Sequence, residues 1–89
     1  MKIVSKDISV IAVFHPGKQP IPYRFKLENK EIQVDEILGT ERVSFGNSSS
    51  IIYYCESNFP PDSSSECSYA KRYELKYHIG ECRWTLYKI

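Results

Sequence analysis

The chain has 89 residues, enough for one small domain, so we expect residues 1–89 to fold as a single unit. Its 12 basic and 11 acidic residues give a net charge of +1, which disfavours a strong polyanion binder, since such proteins carry a clear basic excess. The aromatic content of 13%, with seven Tyr, suits half-buried pleated strands. No run approaches the ~20 apolar residues of a membrane helix, so no membrane partner is expected.

The number and spacing of the cysteines and the sequence of the N-terminus together predict the cellular compartment. Cys55, Cys67 and Cys82 are an odd number without paired short spacing, which does not indicate a disulfide framework. The segment Met1–Asp7 carries charges from the start and lacks the apolar core of a signal peptide. We therefore expect a cytoplasmic protein with free thiols.

The first predicted strand is Ile8–Phe14, which is nearly continuously apolar and rich in β-branched side chains. This pattern predicts a strand that is buried on both faces or central in a sheet. The segment His15–Pro22 follows, with three Pro and one Gly in eight residues. Because Pro removes ladder donors, this segment is expected to be a loop.

A β-hairpin is predicted over residues 23–35, where apolar and polar side chains alternate on both sides of a turn at Asn29-Lys30. The expected pairs are Leu27 with Ile32 and Phe25 with Val34 on the core side, and Arg24 with Asp35 outside. Glu28 would then face Glu31 beside the turn, a slight local penalty.

The alternation breaks at Ile37 and Leu38, which cannot share a face of one strand. We expect a β-bulge near Gly39 that bends the strand into the next layer. Val43 and Phe45 resume the pattern and are predicted to form the far end of the same bent third strand.

Two further segments precede the C-terminal hairpin. A Gly- and Ser-rich turn over residues 46–50 leads into a β-rich fourth strand, Ile51–Cys55. The stretch Ser57–Ser68 contains a Pro-Pro pair and a run of three serines, which predicts a long loop. Phe59 in this loop either folds back onto the domain or contacts a partner.

The last segment, residues 69–89, alternates apolar and polar side chains on both sides of Gly80-Glu81. This pattern predicts a β-hairpin with a two-residue loop. The expected pairs are Ile79 with Cys82, Tyr77 with Trp84 and Leu75 with Leu86 on the apolar face, and His78 with Arg83, Lys76 with Thr85 and Glu74 with Tyr87 on the polar face. We expect Trp84 to be central in the core.

Six strands, two clear hairpins and no segment of helical period predict an all-β antiparallel meander. In so short a chain the sheet must curl to bury one face and manage its edges. We therefore expect a small, partly open barrel, with the SH3-like barrel as the nearest named shape, or a β-roll. The predicted core comprises Val10, Ala12, Phe14, Phe25, Leu27, Ile32, Val34, Leu75, Tyr77, Ile79, Trp84 and Leu86.

The candidate metal ligands are the three cysteines and His78, but ribbon and finger zinc sites present their ligands in close pairs. His78 and Cys82 are the only close pair, and the predicted hairpin puts them on opposite faces. We expect Cys55 and Cys82 to be small buried hydrophobes and Cys67 to lie in the loop. No nucleophile elbow or phosphate loop is present. No metal, cofactor or enzymatic activity is expected, and a thiol or metal enzyme is the third alternative.

Two binding functions stay open. The first is protein–protein association, including self-association as a homodimer through a sheet edge, with the Pro-rich loop and Phe59 as candidate contacts. The alternative is single-stranded nucleic-acid binding on a basic and aromatic strand face. The residues of that candidate face are Arg24, Lys26, Arg72, Lys76, His78, Arg83 and Tyr87. The protein partner itself is not predicted.

Four runs of residues carry a resemblance: Ile21–Glu28 with Ile32–Leu38, and Tyr73–Tyr77 with Cys82–Lys88. They resemble uncharacterised short proteins of Gram-positive bacteria, over about residues 8–89. The first half is also similar to a wider domain of unknown function built on a Pro-x-Arg-Phe strand followed by a second β-strand. The resemblance implies one compact domain of cytoplasmic bacterial type and carries no activity, cofactor or site residue with it.

Overall fold

The computed structural model describes residues 2–57 and 71–89, which form seven β-strands. The strands are β1 (Ile3–Val13), β2 (Ile21–Leu27), β3 (Lys30–Gln33), β4 (Glu36–Phe45), β5 (Ser48–Ser57), β6 (Lys71–His78) and β7 (Arg83–Lys88). They form one antiparallel sheet in the order β3-β2-β1-β7-β6-β5-β4, curled into a half-barrel. This confirms the predicted all-β, partly open barrel. Within the described ranges no helix is long and apolar enough to span a membrane.

The strand count is seven instead of six because the predicted third strand is divided at residues 34–35. The Val34 amide donates to the carbonyl of Tyr23 at 2.8 Å, so this residue still bonds to β2. The next amide, that of Asp35, donates to the carbonyl of Glu56 in β5 at 3.0 Å. The chain therefore passes from one edge of the sheet to the other within two residues, and this transfer ends β3 and starts β4.

Strand β1 is central in the sheet, as predicted, but it is not buried on both faces. Its first part pairs with β7 as far as Ile8, and its second part pairs with β2 from Ser9 onward. Ile8, Val10 and Ala12 pack against the core, whereas Ile11 is 59% exposed. One face of β1 is therefore exposed to solvent, although its sequence is almost continuously apolar.

The β2–β3 hairpin has a different register from the expected one. Its loop is Glu28-Asn29, and both residues have positive φ angles of 49° and 68°, as a type I′ turn requires. The observed pairs are Arg24 with Gln33, Phe25 with Ile32, Lys26 with Glu31 and Leu27 with Lys30. The predicted pairs Phe25–Val34, Leu27–Ile32 and Arg24–Asp35 and the predicted contact Glu28–Glu31 are therefore wrong. Because the shift is two residues, Ile32 and Val34 still pack against the core.

The C-terminal hairpin keeps most of its predicted register. The confirmed pairs are Leu75 with Leu86, Lys76 with Thr85, Tyr77 with Trp84 and His78 with Arg83. The loop is longer than predicted, since residues 79–82 all lie in the turn and Cys82 is exposed with a φ of 51°. At the other end a register shift places Glu74 opposite Lys88, so the expected Glu74–Tyr87 pair is also wrong.

The core lies on the inner side of β2, β5, β6 and β7. Its buried residues are Phe25, Ile51, Tyr53, Cys55, Tyr73, Leu75, Tyr77, Trp84 and Leu86. Trp84 is buried as predicted, with its ring 4.8 Å from that of Tyr77 and 5.4 Å from that of Tyr53. Phe14 was expected in the core but is 61% exposed, because β1 ends at Val13 and the chain turns away.

The Pro-rich segment closes one end of the half-barrel. The Tyr53 hydroxyl donates to the carbonyl of Pro20, and Gln19 Nε2 donates to Thr40 Oγ1 at 3.4 Å. Burial raises the pKa of Tyr53 to about 12, so this hydroxyl stays a donor at neutral pH. The segment that follows β1 is thereby held against β4 and β5 on the far side of the barrel.

We expect Tyr53→Phe to lower the free energy of unfolding by about 1–3 kcal/mol, since it leaves the Pro20 carbonyl without its donor. The measurement is urea denaturation, with hydrogen exchange of residues 15–19 as a local probe. Tyr54→Phe is the matched control, because its hydroxyl bonds to Glu41 at an exposed position. Equal losses in the two variants would contradict the role given to Tyr53.

Candidate functional site

The residues of the predicted basic face divide into two groups in the structure. Arg72, Lys76 and His78 on β6 lie on the same outer face as Arg83 and Tyr87 on β7, because they alternate with the buried side chains of those strands.

Arg24 and Lys26 lie on the outer face of β2, and Phe25, which comes between them in the sequence, is buried in the core. Strand β1 comes between β2 and β7 in the order of the sheet, so β2 and β7 do not pair with each other.

The arginines of this face are paired with carboxylates. The ion pairs are Arg24–Glu31 at 3.5 Å, Arg72–Glu56 at 3.4 Å, Arg83–Asp7 at 2.6 Å and Arg83–Glu81 at 2.9 Å. Each paired carboxylate cancels much of the positive potential that a phosphate backbone would meet. The face therefore has mixed charge, in line with the net charge of the chain.

Tyr87 is the aromatic residue of the candidate face, and its ring is already in contact with cations. Lys76 Nζ lies 5.0 Å and Lys88 Nζ lies 5.2 Å from the ring centroid. These are cation–π distances. A nucleic-acid base that stacked on Tyr87 would have to displace at least one of these ammonium groups.

A chain of polar side chains crosses the outer face of β5, β6, β7 and β1. His78 Nδ1 lies 3.3 Å from Ser50 Oγ, and His78 Nε2 lies 2.9 Å from Thr85 Oγ1. The Thr85 hydroxyl donates to Asp7 Oδ1 at 3.5 Å. Because Thr85 has a single proton to give, His78 Nε2 must be the donor to it, and neutral Nδ1 then accepts from Ser50. A neutral imidazole therefore satisfies all the hydrogen bonds of this row of polar side chains.

The electrostatic surroundings of His78 favour that neutral form. Burial is the main cause that lowers the pKa of His78, and the positive charges of Arg83 and Lys76 lower it further. Glu81 and Asp7 act in the opposite direction but do not reverse the shift. Sequence analysis missed Ser50 and Asp7 as neighbours of His78, since only the pairing of distant strands brings them together.

We expect acid to destabilise the protein through His78. Its pKa is lower in the folded than in the unfolded chain, so its contribution is complete above the unfolded pKa of about 6.5 and is lost as pH falls below it. The melting temperature should therefore fall between about pH 7.5 and pH 5.5, where carboxylates still contribute little. His78→Gln should flatten this dependence. A slope in His78→Gln as steep as that of the wild type would contradict the assignment.

The cysteines occupy contrasting environments. Cys55 is 1% exposed on β5, as predicted, and burial raises its pKa to about 12. Cys82 was expected to be buried but is exposed, because the four-residue loop removes it from the strand. Cys67 and Phe59 lie outside the described residues. Within residues 2–57 and 71–89 no cluster of His, Cys, Asp and Glu is arranged to hold a metal ion.

We expect Cys82 to react with iodoacetamide in the folded protein and Cys55 to react only after denaturation, since a buried thiol forms almost no thiolate. Peptide mapping by mass spectrometry after timed alkylation measures both rates. In Cys82→Ser the labelling at this position should disappear while Cys55 stays protected. Labelling of Cys55 as fast as that of Cys82 in the native state would contradict its burial.

A cleft of about 540 Å³ opens at the end of the half-barrel that the Pro-rich segment closes. Ile51, Tyr77 and Ile79 line its apolar part, and Lys18 and Arg42 bring positive charge to it. Arg42 is directed there because the register shift between Ile37 and Gly39 places it opposite Ile51, on the core side of β4. Sequence analysis did not find this cleft, since its walls come from four separate segments.

The free edge of β4 is a second feature that sequence analysis did not locate. β4 is the last strand of the sheet, and among the described residues it pairs only with β5. Leu38 and Phe45, near its two ends, are 46% and 88% exposed.

Comparison with known proteins found no matching family, no matching curated protein and no matching solved structure.

Proposed function

We propose that this protein is a non-enzymatic interaction module that binds an extended segment of a partner protein along the free edge of β4. The observation that carries the proposal is a ten-residue terminal strand, Glu36–Phe45, with no second strand beside it in the described part of the chain. The unpaired N–H and C=O groups of such an edge are a template for a further strand.

The dimensions of β4 suit this mode of binding. Ten residues of strand present about 33 Å of edge. That length accommodates a partner segment of comparable length, held by main-chain hydrogen bonds. The first edge of the sheet, β3, has only four residues and offers a much shorter template.

Apolar side chains beside the edge support the same proposal. Val43 and Phe45 lie opposite Ser50 and Ser48, on the outer face of the sheet. Ile52 lies on the same face and is 8% exposed, although it is not part of the main core. Together they form a short apolar stripe next to unpaired backbone, so a partner segment with apolar residues at alternate positions would gain contacts on this side.

The partner is proposed to be a different chain and not a second copy. A two-fold antiparallel pairing of β4 with itself centred on Glu41 places two glutamates opposite each other, and centring it on Arg42 places two arginines opposite each other. Like charges directly opposite in a sheet are destabilising. These two registers are therefore disfavoured, and the register centred on Thr40, which places two threonines opposite each other, is the remaining two-fold pairing of comparable length. Native mass spectrometry distinguishes that pairing from binding of a different chain.

The nucleic-acid alternative has less support. The arginines of its candidate face are engaged by carboxylates, and Tyr87 is covered by two lysines. We also propose a cytoplasmic location, supported by the free thiols of Cys55 and of exposed Cys82.

The test is selection of ligands from a random-peptide display library, followed by hydrogen exchange of the complex. Selected peptides should slow the exchange of β4 amides, because strand addition gives those amides new acceptors. Phe45→Ser should weaken binding about tenfold or more, as loss of a large aromatic contact does. Ile11→Ser is the matched control, since Ile11 is also a large apolar residue, 59% exposed, but lies on β1.

Four results would overturn or redirect the proposal. Failure to enrich any peptide, or protection confined to strands other than β4, would overturn it. A doubled mass in native mass spectrometry that Phe45→Ser abolishes would replace the partner segment with a second copy. Amide shifts at Arg72 and Lys76 on addition of a single-stranded oligonucleotide at low salt would restore the nucleic-acid alternative.

A further inference from the structure

The cleft at the closed end of the half-barrel has the size of a small-molecule site. Its volume of about 540 Å³ lies within the ~300–1,000 Å³ that is usual for ligand pockets. It lies between the Pro-rich segment on one side and β4, β5 and the end of β6 on the other. It is a different surface from the outer edge of β4, and its occupancy does not depend on the proposed strand addition.

The apolar lining of the cleft is suited to a flat ring. Ile51 and Tyr77 are 2% and 7% exposed and form the bottom of the cleft. Phe14 lies at the opening of the cleft and is 61% exposed. Its ring is edge-on to that of Tyr77, with the ring centroids 6.1 Å apart and an interplanar angle of 67°. Aromatic rings attract one another in offset and edge-on arrangements, so an aromatic ligand could contact Phe14 and Tyr77 together.

The positively charged side chains at the cleft favour the binding of an anion. Lys18 and Arg42 both line it, and within the described ranges neither has an ion-pair partner. Arg24, Arg72 and Arg83 differ in this respect, since each has a carboxylate within 3.5 Å. Two unpaired cations beside an apolar surface are complementary to a ligand with a carboxylate at one end and an apolar body.

The Pro-rich side of the cleft is held in place before any ligand binds. The Lys18 amide donates to the carbonyl of His15 at 3.1 Å across Pro16-Gly17, and Gly17 has a φ of 74°. Pro followed by a residue of positive φ is the pattern of a type II turn. The bonds from Tyr53 and Gln19 fix the end of the segment, so little ordering is needed on binding.

From these observations we infer that the cleft binds a small aromatic carboxylate, with its ring against Phe14 and Tyr77 and its carboxylate between Lys18 and Arg42. Binding involves no covalent step. The inference concerns a small organic acid and not the side chain of a protein partner.

The test is an NMR titration of the full chain with phenylacetate and, in parallel, with the neutral phenylacetamide. Phenylacetate should shift the amides of residues 17–19, Arg42 and Tyr77, and should bind about five- to tenfold more tightly than the amide, which is what two exposed cations can contribute. The double variant Lys18→Gln/Arg42→Gln should bind the two compounds equally. Arg24→Gln/Lys26→Gln, with the same change of net charge on β2, should keep the wild-type preference.

Phe14→Ser separates the ring contact from the charge contact. Because Phe14 is exposed, its removal should leave the fold intact and weaken both compounds in parallel while the preference for the acid persists. Absence of shifts up to about 20 mM, where ligands of this size are expected to bind, would overturn the inference. Equal binding of acid and amide to the wild type, or shifts outside the cleft, would also overturn it. None of these results bears on peptide binding at β4.

Discussion

The two backbone hydrogen bonds of Val34 and Asp35 determine the shape of this domain. Consecutive amides donate to strands that lie next to opposite edges of the sheet, to Tyr23 in β2 and to Glu56 in β5. Since adjacent residues cannot be far apart, these two edges must approach each other, and the sheet must curl. The half-barrel, its core and its closed end all follow from this constraint. A flat sheet would keep β2 and β5 apart by the width of the three strands between them.

The transfer at residues 34–35 also produces the features with functional interest. It makes β4 a terminal strand with one free edge, and the bulge that follows at Leu38 changes which of its side chains face inward. Arg42 then shares the core side with Ile51, while Phe45 is left exposed on the outer side. The proposed strand-addition edge and the proposed carboxylate cleft thus use opposite faces of the same strand.

The outer face of β6 and β7 is occupied mainly by interactions within the protein. Its arginines are engaged by acidic side chains, and the His78 imidazole lies between the hydroxyls of Ser50 and Thr85. Such a network aligns neighbouring strands where the apolar core is absent. Its serine, histidine and aspartate are linked through the hydroxyl of Thr85. We therefore assign a stabilising role to this network.

The sequence by itself determined the class of fold and the hairpins, because strand period and turn residues act over short distances. The pairing of Tyr77 with Trp84 and of Leu75 with Leu86 followed from alternation alone. The same logic misplaced the β2–β3 register by two residues, since Asn29 could occupy either position of the turn, and only the φ angles of Glu28 and Asn29 identify it.

Tertiary structure decided what local patterns could not. The core role of Ile51, Tyr53 and Cys55 depends on β5 lying between β4 and β6. The approach of Ser50 to His78, and of Lys18 to Arg42, brings together segments distant in sequence. The physical reason is that alternation specifies which residues share a face, whereas the curl of the sheet and its bulges specify which faces meet.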